Sequence, residues 1–309
     1  MMTYNQELTV GRTLDSILAQ KTKYSYEIII GEDASPSDRT RSVCESYVNQ
    51  YPDRIHLLPK APNKGVLNNY IDCLAQCKGK YIAGCAGDDW WSNENKIELQ
   101  VDFLEENPDY VLCYSGYLVH NLSSNKTIEI QPTILHKNQN TFGRLVMSNF
   151  IAAPTACYRH SVIKHIDFRS FMSNGYRMED YPMWLIISHY GKFHAIKHSL
   201  VTYSQSTNSM SNHDELGKQI DFEENTLRIK QDIVKQLNLQ NKYSDNYILD
   251  CHYRMLYNHS IRFNDRQSAL KYIIKVQNKN IRDLVKVFVA IFPFTFKLIV
   301  KRNSTTSAV

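Results

Sequence analysis

Two adjacent carboxylates, Asp88 and Asp89, follow the apolar run Tyr81–Cys85 and the turn residue Gly87. Neighbouring anions repel each other, so such a pair rarely stabilises the end of a buried strand. Hard cations such as Mg²⁺ and Mn²⁺ prefer oxygen ligands and commonly link one or two carboxylates to a diphosphate. Open α/β sheets bind their ligands beyond the carboxyl ends of the strands. The stretch therefore predicts a metal-assisted phosphate site, and a solvated turn is the alternative.

Strand-like and helical segments alternate along the first half of the chain. This alternation is typical of βαβ units, and it predicts an α/β fold with a mostly parallel central sheet flanked by helices. Only Met1 and Met2 precede the polar loop Thr3–Glu7, so the first strand is expected to be unusually short or to begin upstream. The other expected strands are Glu27–Ile30, Ile55–Leu58, Tyr81–Cys85, Val111–Tyr114 and Phe150–Tyr158.

The composition is that of a soluble globular protein, with 43% hydrophobic and 22% charged residues among 309. The seven cysteines form no Cys-x-x-Cys pair and no Cys/His metal spacing, which indicates small core residues in a reducing compartment. The net charge is +5, and eight Lys or Arg residues stand against one acid between Lys271 and Arg302. Because the basic charge belongs to the tail, this distribution argues against a body that binds nucleic acid.

The second half of the chain indicates a helical extension and then a basic, apolar tail. Residues 217–239 and 245–277 are expected to be helical. Leu284–Val300 is largely apolar, but it is shorter than the roughly 20 apolar residues that a spanning helix needs. Its flanking Lys and Arg residues predict a segment that lies in an anionic membrane interface, and a helix packed on the domain is the alternative. The expected domains are 1–215, 216–281 and 282–309.

Four short motifs stand in a fixed order. They are Thr3-Tyr4-Asn5-Gln6-Glu7, Glu32-Asp33-Ala34-Ser35, Gly87-Asp88-Asp89-Trp90-Trp91 and Met178-Glu179-Asp180, with Asn63-Lys64-Gly65 between the second and the third. Over about residues 1–215 the chain resembles the inverting family 2 glycosyltransferases of the GT-A fold. It is most similar to the bacterial polysaccharide enzymes whose aspartate site reads Gly-Asp-Asp-aromatic-Trp. Any one motif is weak, whereas the ordered set is specific.

The resemblance implies that a nucleotide lies against the first two motifs. Asp33 is expected to accept hydrogen bonds from the uracil or the ribose, which an ionised carboxylate does well. A turn aspartate is the alternative for Asp33, a helix N-terminal acid is the alternative for Glu7, and a purely structural turn is the alternative for Gly65. The expected nucleotide-binding residues are Thr3, Tyr4, Asn5, Glu7, Asp33, Asn63, Gly65 and Asn68.

The resemblance also assigns roles to the aspartate site. Asp88 is the expected metal ligand, which holds Mg²⁺ or Mn²⁺ against the diphosphate while UDP departs. Asp89 is expected to orient the donor sugar or the metal shell, and Trp91 is placed on the donor-sugar side with it. Trp90 and Trp91 stack on a sugar face or, alternatively, anchor the loop.

Asp180 is the general base that the resemblance implies, and Glu179 is expected to orient it or the acceptor. In an inverting displacement the acceptor hydroxyl attacks the anomeric carbon from the face opposite UDP, and a carboxylate there takes the proton. Glu179-Asp180-Tyr181-Pro182 is predicted to open a helix through Trp184 and Ile187, so the alternative for this pair is a set of acids favoured by the dipole at the helix start.

The chain departs from the family pattern at two places. Ala86 stands where the common Asp-x-Asp-Asp motif has its first aspartate, which leaves the metal fewer protein carboxylates. Tyr203-Ser204-Gln205-Ser206 stands where relatives often have Tyr-Arg-x-His. Ser204 and Ser206 offer hydroxyls but neither a cation nor an imidazole, so donor handling is expected to differ.

The favoured hypothesis is a metal-dependent, inverting transfer of a sugar from a UDP-sugar to a hydroxyl of a saccharide or lipid-linked saccharide, in surface polysaccharide biosynthesis. The expected location is cytoplasmic, peripheral at the inner face of the cell membrane. A sugar nucleotidyltransferase is disfavoured, because Thr3–Gly11 lacks the Gly-rich loop with a basic residue that grips a triphosphate. A non-catalytic relative that binds nucleotide or glycan is the other alternative, supported by Ala86 and Ser206.

Overall fold

The computed structural model describes residues 1–36, 39–135, 140–205, 213 and 215–306, with side chains as far as 300. The chain divides into two compact units. The first unit comprises Met1–Phe142 and Phe150–Gln205, and the second comprises Gly143–Asn149 and Ser206–Val309. All the predicted site residues belong to the first unit.

Three parallel strands connected by helices begin the first unit. The elements are Met2–Thr3 (β1), Val10–Leu18 (α1), Ile28–Glu32 (β2), Thr40–Gln50 (α2), Ile55–Leu57 (β3) and Gly65–Gln76 (α3). The strand order is β1-β2-β3, and every residue of β2 is buried. A strand covered on both faces by helices has no polar alternation, which explains the continuous apolar run at its start.

A mixed sheet completes the first unit. Strand β7 pairs antiparallel with β4 and β5, β6 pairs antiparallel with β5, and β8 runs parallel to β5. An isolated parallel bridge between Met2 and Ala86 places β1 beside the chain that follows β4. The elements are Tyr81–Ala83 (β4), Lys96–Glu106 (α4), Tyr110–Asn121 (β5), Lys126–Ile130 (β6), Thr141–Met147 (α5, which extends into the second unit), Cys157–Arg159 (β7), Phe168–Ser173 (α6), Asp180–Ile187 (α7) and Lys192–Gln205 (β8).

The core of the first unit explains why these segments fold as they do. Helix α1 turns its apolar face inward onto β2, and the interior also takes residues from β8 and Trp91. These side chains exclude water from the space between the helices and the sheet, which is the main stabilising term of such a layer. The buried residues of this cluster are Val10, Leu14, Ile17, Ile28, Ile30, Cys44, Ile55, Cys85, Trp91, Leu200 and Val201.

The predicted α/β fold with flanking helices is confirmed, and the antiparallel pairs of β6 and β7 make its second half mixed. The prediction of a strand over Phe150–Tyr158 is wrong for most of its length. Ala153–Thr155 forms a 3₁₀ turn around Pro154, and only Cys157 and Tyr158 of that range lie in a strand. Proline removes a backbone donor, which disfavours a paired strand at that position. The first strand in the given sequence is Met2–Thr3, and the choice between a short strand and an upstream start stays open.

The second unit is helical in its described part. Beyond α5 its helices are Leu216–Gln236 (α8), Asp245–Arg262 (α9), Arg266–Lys275 (α10), Ile281–Ile291 (α11) and Pro293–Thr306 (α12). Val289, Ala290 and Phe296 of the last two helices are buried in one cluster with residues of α9 and α10. Within the residues that the structure describes, every helix is too short or too polar to cross a membrane. The division into 216–281 and 282–309 stays a prediction.

Candidate active site

The carboxyl ends of three chain segments meet at one edge of the sheet. Thr3 pairs with Glu32 in register, and the backbone N–H of Asp33 donates to the carbonyl of Thr3 at 3.1 Å. On the other side of β1, the N–H of Gly87 donates to the carbonyl of Met2 at 2.9 Å. The loops after β1 and β2 and the Asp88–Asp89 turn are therefore neighbours, as expected for the ligand edge of an open α/β sheet.

Gly87 is the residue that lets the first loop lie against the aspartate turn. A Cβ atom at this position would lie 2.5 Å from Thr3 Oγ1 and 2.6 Å from Gln6 Oε1. Thr3 Oγ1 donates to Gln6 Oε1 at 2.9 Å, so the loop is held in place by its own side chains. Such close approach excludes any side chain at 87 without movement of the loop.

The rest of the first loop is held by hydrogen bonds with residues that precede α2. Asn5 has a left-handed φ of 52°, and its N–H donates to Ser35 Oγ at 2.9 Å. Glu7 Oε2 accepts the backbone N–H of Arg39, at the start of α2, at 2.8 Å. Glu7 therefore lies at a helix start, which was the alternative role given for this residue. The helix is α2, however, and not α1, which follows Glu7 directly in the chain. Tyr4 is exposed, and the nucleotide role of this loop stays a prediction.

Asp33 is the centre of a second cluster. Its Oδ1 accepts the N–H of Lys64 and its Oδ2 accepts the N–H of Gly65, both at 2.9 Å, while Asn63 Nδ2 donates to its carbonyl at 2.7 Å. Gly65 has a φ of +79°, a conformation that favours glycine. The carboxylate therefore fixes the start of α3, and each of its oxygens keeps acceptor capacity for another donor.

Asn68 follows this cluster on α3, where its amide donates to the carbonyl of Lys64 at 2.8 Å, and its nucleotide role stays a prediction. The neighbouring Asn69, which sequence reasoning missed, is buried and donates to the carbonyl of Gly31 at 2.8 Å. A Cβ at Gly31 would lie 2.3 Å from Asn69 Oδ1, so Gly31 and Asn69 fit together as a pair. The sequence feature that could have identified Asn69 is its position, as a polar residue, on the inward face of α3.

Asp88 and Asp89 have different surroundings although they are adjacent. Asp89 is 2% exposed, its Oδ1 accepts the N–H of Ser204 at 2.8 Å, and its carbonyl accepts the Thr13 hydroxyl at 2.6 Å. Burial raises the pKa of Asp88, and a hydrogen bond from Gln6 opposes this. Burial and the charge of Asp88 raise the pKa of Asp89 well above its ordinary value. Two such carboxylates are stabilised in ionised form by a cation.

Arg12 is the functional candidate that sequence reasoning missed. Its Nη2 donates to the carbonyl of Asp88 at 3.0 Å and to Ser204 Oγ at 3.4 Å. The guanidinium carbon lies 3.7 Å from the ring centroid of Trp90. The available signal was its place in the first turn of α1, where the helix dipole disfavours a cation unless an anion lies near.

The two tryptophans of the aspartate motif are divided between surface and core. Trp91 is 7% exposed and packs in the core of the first unit, with Lys96 Nζ 4.5 Å from its ring centroid. Trp90 is half-buried between Arg12 and His120. The position of Trp91 matches the alternative of a loop anchor, and its donor-sugar role stays a prediction.

Glu179 and Asp180 begin α7, which confirms the predicted helix start. Burial and the charge of Asp180 raise the pKa of Glu179 to about 8. Burial is the main cause of the raised pKa values of Tyr70 and Tyr158, whose hydroxyls share a hydrogen bond, and the nearby Glu179 carboxyl adds to the rise in both. At neutral pH Glu179 is therefore mostly protonated, so it is able to donate a hydrogen bond, while Asp180 is half-buried.

The buried carboxyl of Glu179 predicts a pH-dependent stability. Because its folded-state pKa is about 8 and its ordinary value is 4.5, the folded protein binds this proton more tightly, and stability falls as pH rises between those values. Glu179→Gln removes this penalty, so its melting temperature is expected to exceed that of wild type at pH 8 by at least about 2–4 °C, the shift that roughly 1 kcal/mol produces. The difference is expected to vanish near pH 4.5.

Thermal unfolding of both proteins from pH 4.5 to pH 8 measures this difference. Glu106→Gln, which changes an exposed acid at the end of α4, is the control and is expected to leave the profile of wild type unchanged. A pH-independent difference between Glu179→Gln and wild type would contradict the assignment.

The donor set fits a divalent cation that is shared with a ligand. The described residues contain no group of three or more His, Cys, Asp or Glu side chains placed to hold a metal. Asp88 and Asp89 provide at most two carboxylates, and one oxygen of Asp89 already accepts the N–H of Ser204. Mg²⁺ and Mn²⁺ are commonly held by one or two carboxylates together with substrate phosphates, so these residues suit a cation bound jointly with a diphosphate.

Glycosyl transferase family 2 matches residues 1–167, which is more than half of the chain. An Escherichia coli relative, described as UDP-Glc:alpha-D-GlcNAc-diphosphoundecaprenol beta-1,3-glucosyltransferase WfgD, is 28% identical over 235 residues, 74% of this chain and 86% of the relative. The match to uncharacterized mycobacterial relatives, at 32% identity, spans 45% of their length.

Two solved structures share the fold. S. aureus TarS 1-349, in complex with UDP-GlcNAc, superposes with a TM-score of 0.57 at 14% identity, covering 99% of this chain and 90% of that chain. The mannosyltransferase PcManGT from Pyrobaculum calidifontis, in complex with GDP-Man and Mn2+, superposes with a TM-score of 0.53 at 9% identity, covering 96% and 85%. At these identities the likeness concerns the fold, and it confirms the predicted GT-A architecture.

Proposed function

The chain belongs to glycosyl transferase family 2, and from that premise we propose that it transfers a sugar from a UDP-sugar, with inversion, to a hydroxyl of a saccharide or lipid-linked saccharide. The observation that carries the proposal is the meeting of Asp33, the first loop and Asp88 at one edge of the sheet. In the proposed arrangement Asp33 recognises the nucleoside on one side of this edge, and Asp88 lies at the diphosphate on the other.

The donor and the acceptor class are supported by the relatives. The Escherichia coli relative is named for UDP-Glc and a diphosphoundecaprenol-linked acceptor, and TarS was solved with UDP-GlcNAc. Both statements concern those proteins. They support a UDP-sugar donor and a lipid-linked saccharide acceptor here, in surface polysaccharide biosynthesis.

The reaction that we propose breaks the bond between the anomeric carbon and the diphosphate oxygen, and that oxygen keeps the electron pair. The acceptor oxygen forms the new bond from the opposite face, and Asp180 takes its proton. Glu179, protonated at neutral pH, donates a hydrogen bond that orients Asp180 or the acceptor. Asp33 accepts from the uracil or ribose with the lone pairs that its backbone partners leave over.

A divalent cation, for which Asp88 is the proposed ligand, neutralises charge on the departing UDP when it is bound. The Mn2+ in the mannosyltransferase structure supports this cofactor class. Asp88 and Asp89 would supply only part of the ligand set of such a cation, so metal and nucleotide are expected to bind together.

Calorimetric titration of UDP into the wild-type protein, with Mn²⁺ and then with EDTA, tests the donor site. A panel of UDP-sugars with a saccharide acceptor, assayed for UDP release, tests turnover. UDP binding that requires the metal, together with release from one donor, is the expected result. Metal-dependent UDP binding without turnover of any donor would instead favour a non-catalytic nucleotide-binding relative.

The last helices support a place at an anionic membrane surface. On α11 one face is packed in the second unit, while the opposite face is exposed and apolar. Asp283, the one acid between Lys271 and Arg302, is 1% exposed and pairs with Arg254 at 2.9 Å. The described side chains of α11 and α12, as far as residue 300, therefore present apolar and basic groups without an exposed acid, a combination that suits anionic lipid. The exposed apolar residues are Ile281, Leu284, Val285, Phe288, Ile291, Phe292, Phe294 and Leu298.

Replacing both Leu284 and Phe288 with serine is expected to weaken binding to phosphatidylglycerol vesicles by about 10-fold or more, because two inserted apolar side chains are lost. Vesicle sedimentation measures the binding, and added salt is expected to weaken it for wild type. Leu122→Ser, in the turn after β5 and 45% exposed, is the matched control.

Two results would contradict a membrane-docking face. One is equal vesicle binding by wild type and the Leu284→Ser/Phe288→Ser variant. The other is a change of oligomeric state in that variant by light scattering, which would assign the face to a second copy of the chain.

A further inference from the structure

Arg12 lies at the aspartate turn although it belongs to none of the motifs that the sequence singles out. We infer that Arg12 binds the diphosphate of the nucleotide-sugar donor, as a side-chain cation supplied by α1. The inference rests on the proposed function, because it assigns a ligand to that site. It goes further in naming the group that recognises the diphosphate beside the metal ligand.

The guanidinium is held in place by one of its nitrogens. Nη2 makes both hydrogen bonds, to the Asp88 carbonyl at 3.0 Å and to Ser204 Oγ at 3.4 Å. Across the described residues, Nε and Nη1 have no hydrogen-bond partner. Guanidinium carries five N–H donors in a planar fork that matches phosphate oxygens, so the donors on Nε and Nη1 remain for an anion.

An aromatic ring also restrains the position of the guanidinium. The central carbon of the guanidinium lies 3.7 Å from the ring centroid of Trp90. The Trp90 ring is in turn in edge contact with the His120 ring, with 5.9 Å between the two ring centroids. Cation–π stacking restrains a long side chain that would otherwise be mobile. Arg12 is nevertheless exposed, so the remaining donors face solvent from which a ligand arrives.

The charge at this edge also requires a cation. Asp88 and Asp89 bring two carboxylates, a diphosphate adds further negative charge, and Ser204 brings only a hydroxyl. One divalent cation leaves this sum negative. A guanidinium beside the metal ligand offsets the remaining negative charge. Its interaction with the diphosphate strengthens as UDP departs, since negative charge then develops on the diphosphate.

A purely structural role for Arg12 is the competing explanation, in which it only holds the Asp88–Asp89 turn. The two roles differ in which ligand they affect. A diphosphate contact lowers the affinity for UDP and leaves the Mn²⁺ affinity of the UDP-saturated protein unchanged, whereas a misplaced Asp88 turn lowers that Mn²⁺ affinity. Titration of UDP in the presence of Mn²⁺, followed by titration of Mn²⁺ into the UDP-saturated protein, therefore separates the two roles.

Arg12→Gln is expected to lower the affinity for UDP by about 10- to 100-fold, since hydrogen bonds to charged groups contribute in that range. Uridine affinity is expected to be equal in variant and wild type. Inorganic pyrophosphate is expected to displace UDP from wild type and to compete more weakly in Arg12→Gln. Arg12→Lys keeps the charge but not the fork, so it is expected to recover part of the UDP affinity.

Arg54→Gln is the matched control, because Arg54 also lies over an aromatic ring, 5.0 Å from the centroid of Tyr26. It is expected to bind UDP as wild type does. Equal UDP affinity in wild type and Arg12→Gln, an equal loss for UDP and uridine, or a lowered Mn²⁺ affinity of the UDP-saturated variant would overturn the assignment of Arg12. Failure of the wild-type protein to bind UDP would instead overturn the proposed donor class, so the two failures are distinguishable.

Discussion

Asp180→Asn is expected to lower the rate of sugar transfer by about 10²- to 10⁴-fold, the usual contribution of a positioned general base. Asparagine keeps the size of the side chain at the first position of α7 but cannot take the acceptor proton. Because Asp180 is assigned to the acceptor side, UDP affinity is expected to stay within about twofold of wild type. Initial rates of UDP release with donor and acceptor, beside calorimetric UDP binding, measure both quantities.

The matched control for Asp180→Asn is Asp167→Asn. Asp167 also stands at a helix start, where its side chain accepts the N–H groups of Arg169 and Ser170. Asparagine retains that cap, so transfer by the control is expected to equal that of wild type. Full transfer activity in Asp180→Asn would remove Asp180 as the base and would leave both acids with a structural role at the start of α7.

Asp88→Asn is expected to weaken metal-dependent UDP binding by about 2–5 kcal/mol, roughly 30- to 5,000-fold. The amide keeps the shape of the turn but removes the negative charge that a hard cation requires. The carboxyl is half-buried, and burial raises its pKa, so this charge is expensive unless a cation accompanies it. Titration of UDP with Mn²⁺ and with EDTA measures the effect.

Asp109→Asn is the control for Asp88→Asn, because Asp109 is an exposed acid paired with Lys192 at 3.1 Å. Its UDP affinity is expected to equal that of wild type, as exposed pairs contribute little. UDP binding that survives both EDTA and the loss of the Asp88 carboxylate would contradict a metal at this position.

Several features of the fold and the site follow from the sequence because local pattern determines them. The short apolar run before Gly87 predicted a strand end, and the turn after it had to place Asp88 and Asp89 at the edge of the sheet. The acids at 179 and 180 predicted a helix start, which α7 confirms. Alternating strands and helices predicted the α/β class, which the order of elements confirms.

Local pattern did not determine which of those polar groups already have protein partners. The sequence predicts Asp33 as an acceptor without protein partners, but the start of α3, more than 30 residues away, already donates one N–H to each of its oxygens. The two tryptophans of the motif are the same residue type, so the sequence does not distinguish them. Packing against α1 and β8 buries Trp91, whereas the ring of Trp90 lies against the guanidinium of Arg12. Burial likewise decides the pKa of Glu179, because desolvation depends on the surrounding side chains.

By itself the sequence determined the α/β class, the strand end that bears two aspartates, the helix that begins at Asp180 and the basic, apolar tail. Only the tertiary structure decided that Arg12 meets a carbonyl 76 residues away, and that one face of α11 is packed while the other stays exposed. The physical reason is that periodicity and turn chemistry act within a few residues. Contacts across the sheet edge depend instead on how separate segments pair, and no local pattern specifies that pairing.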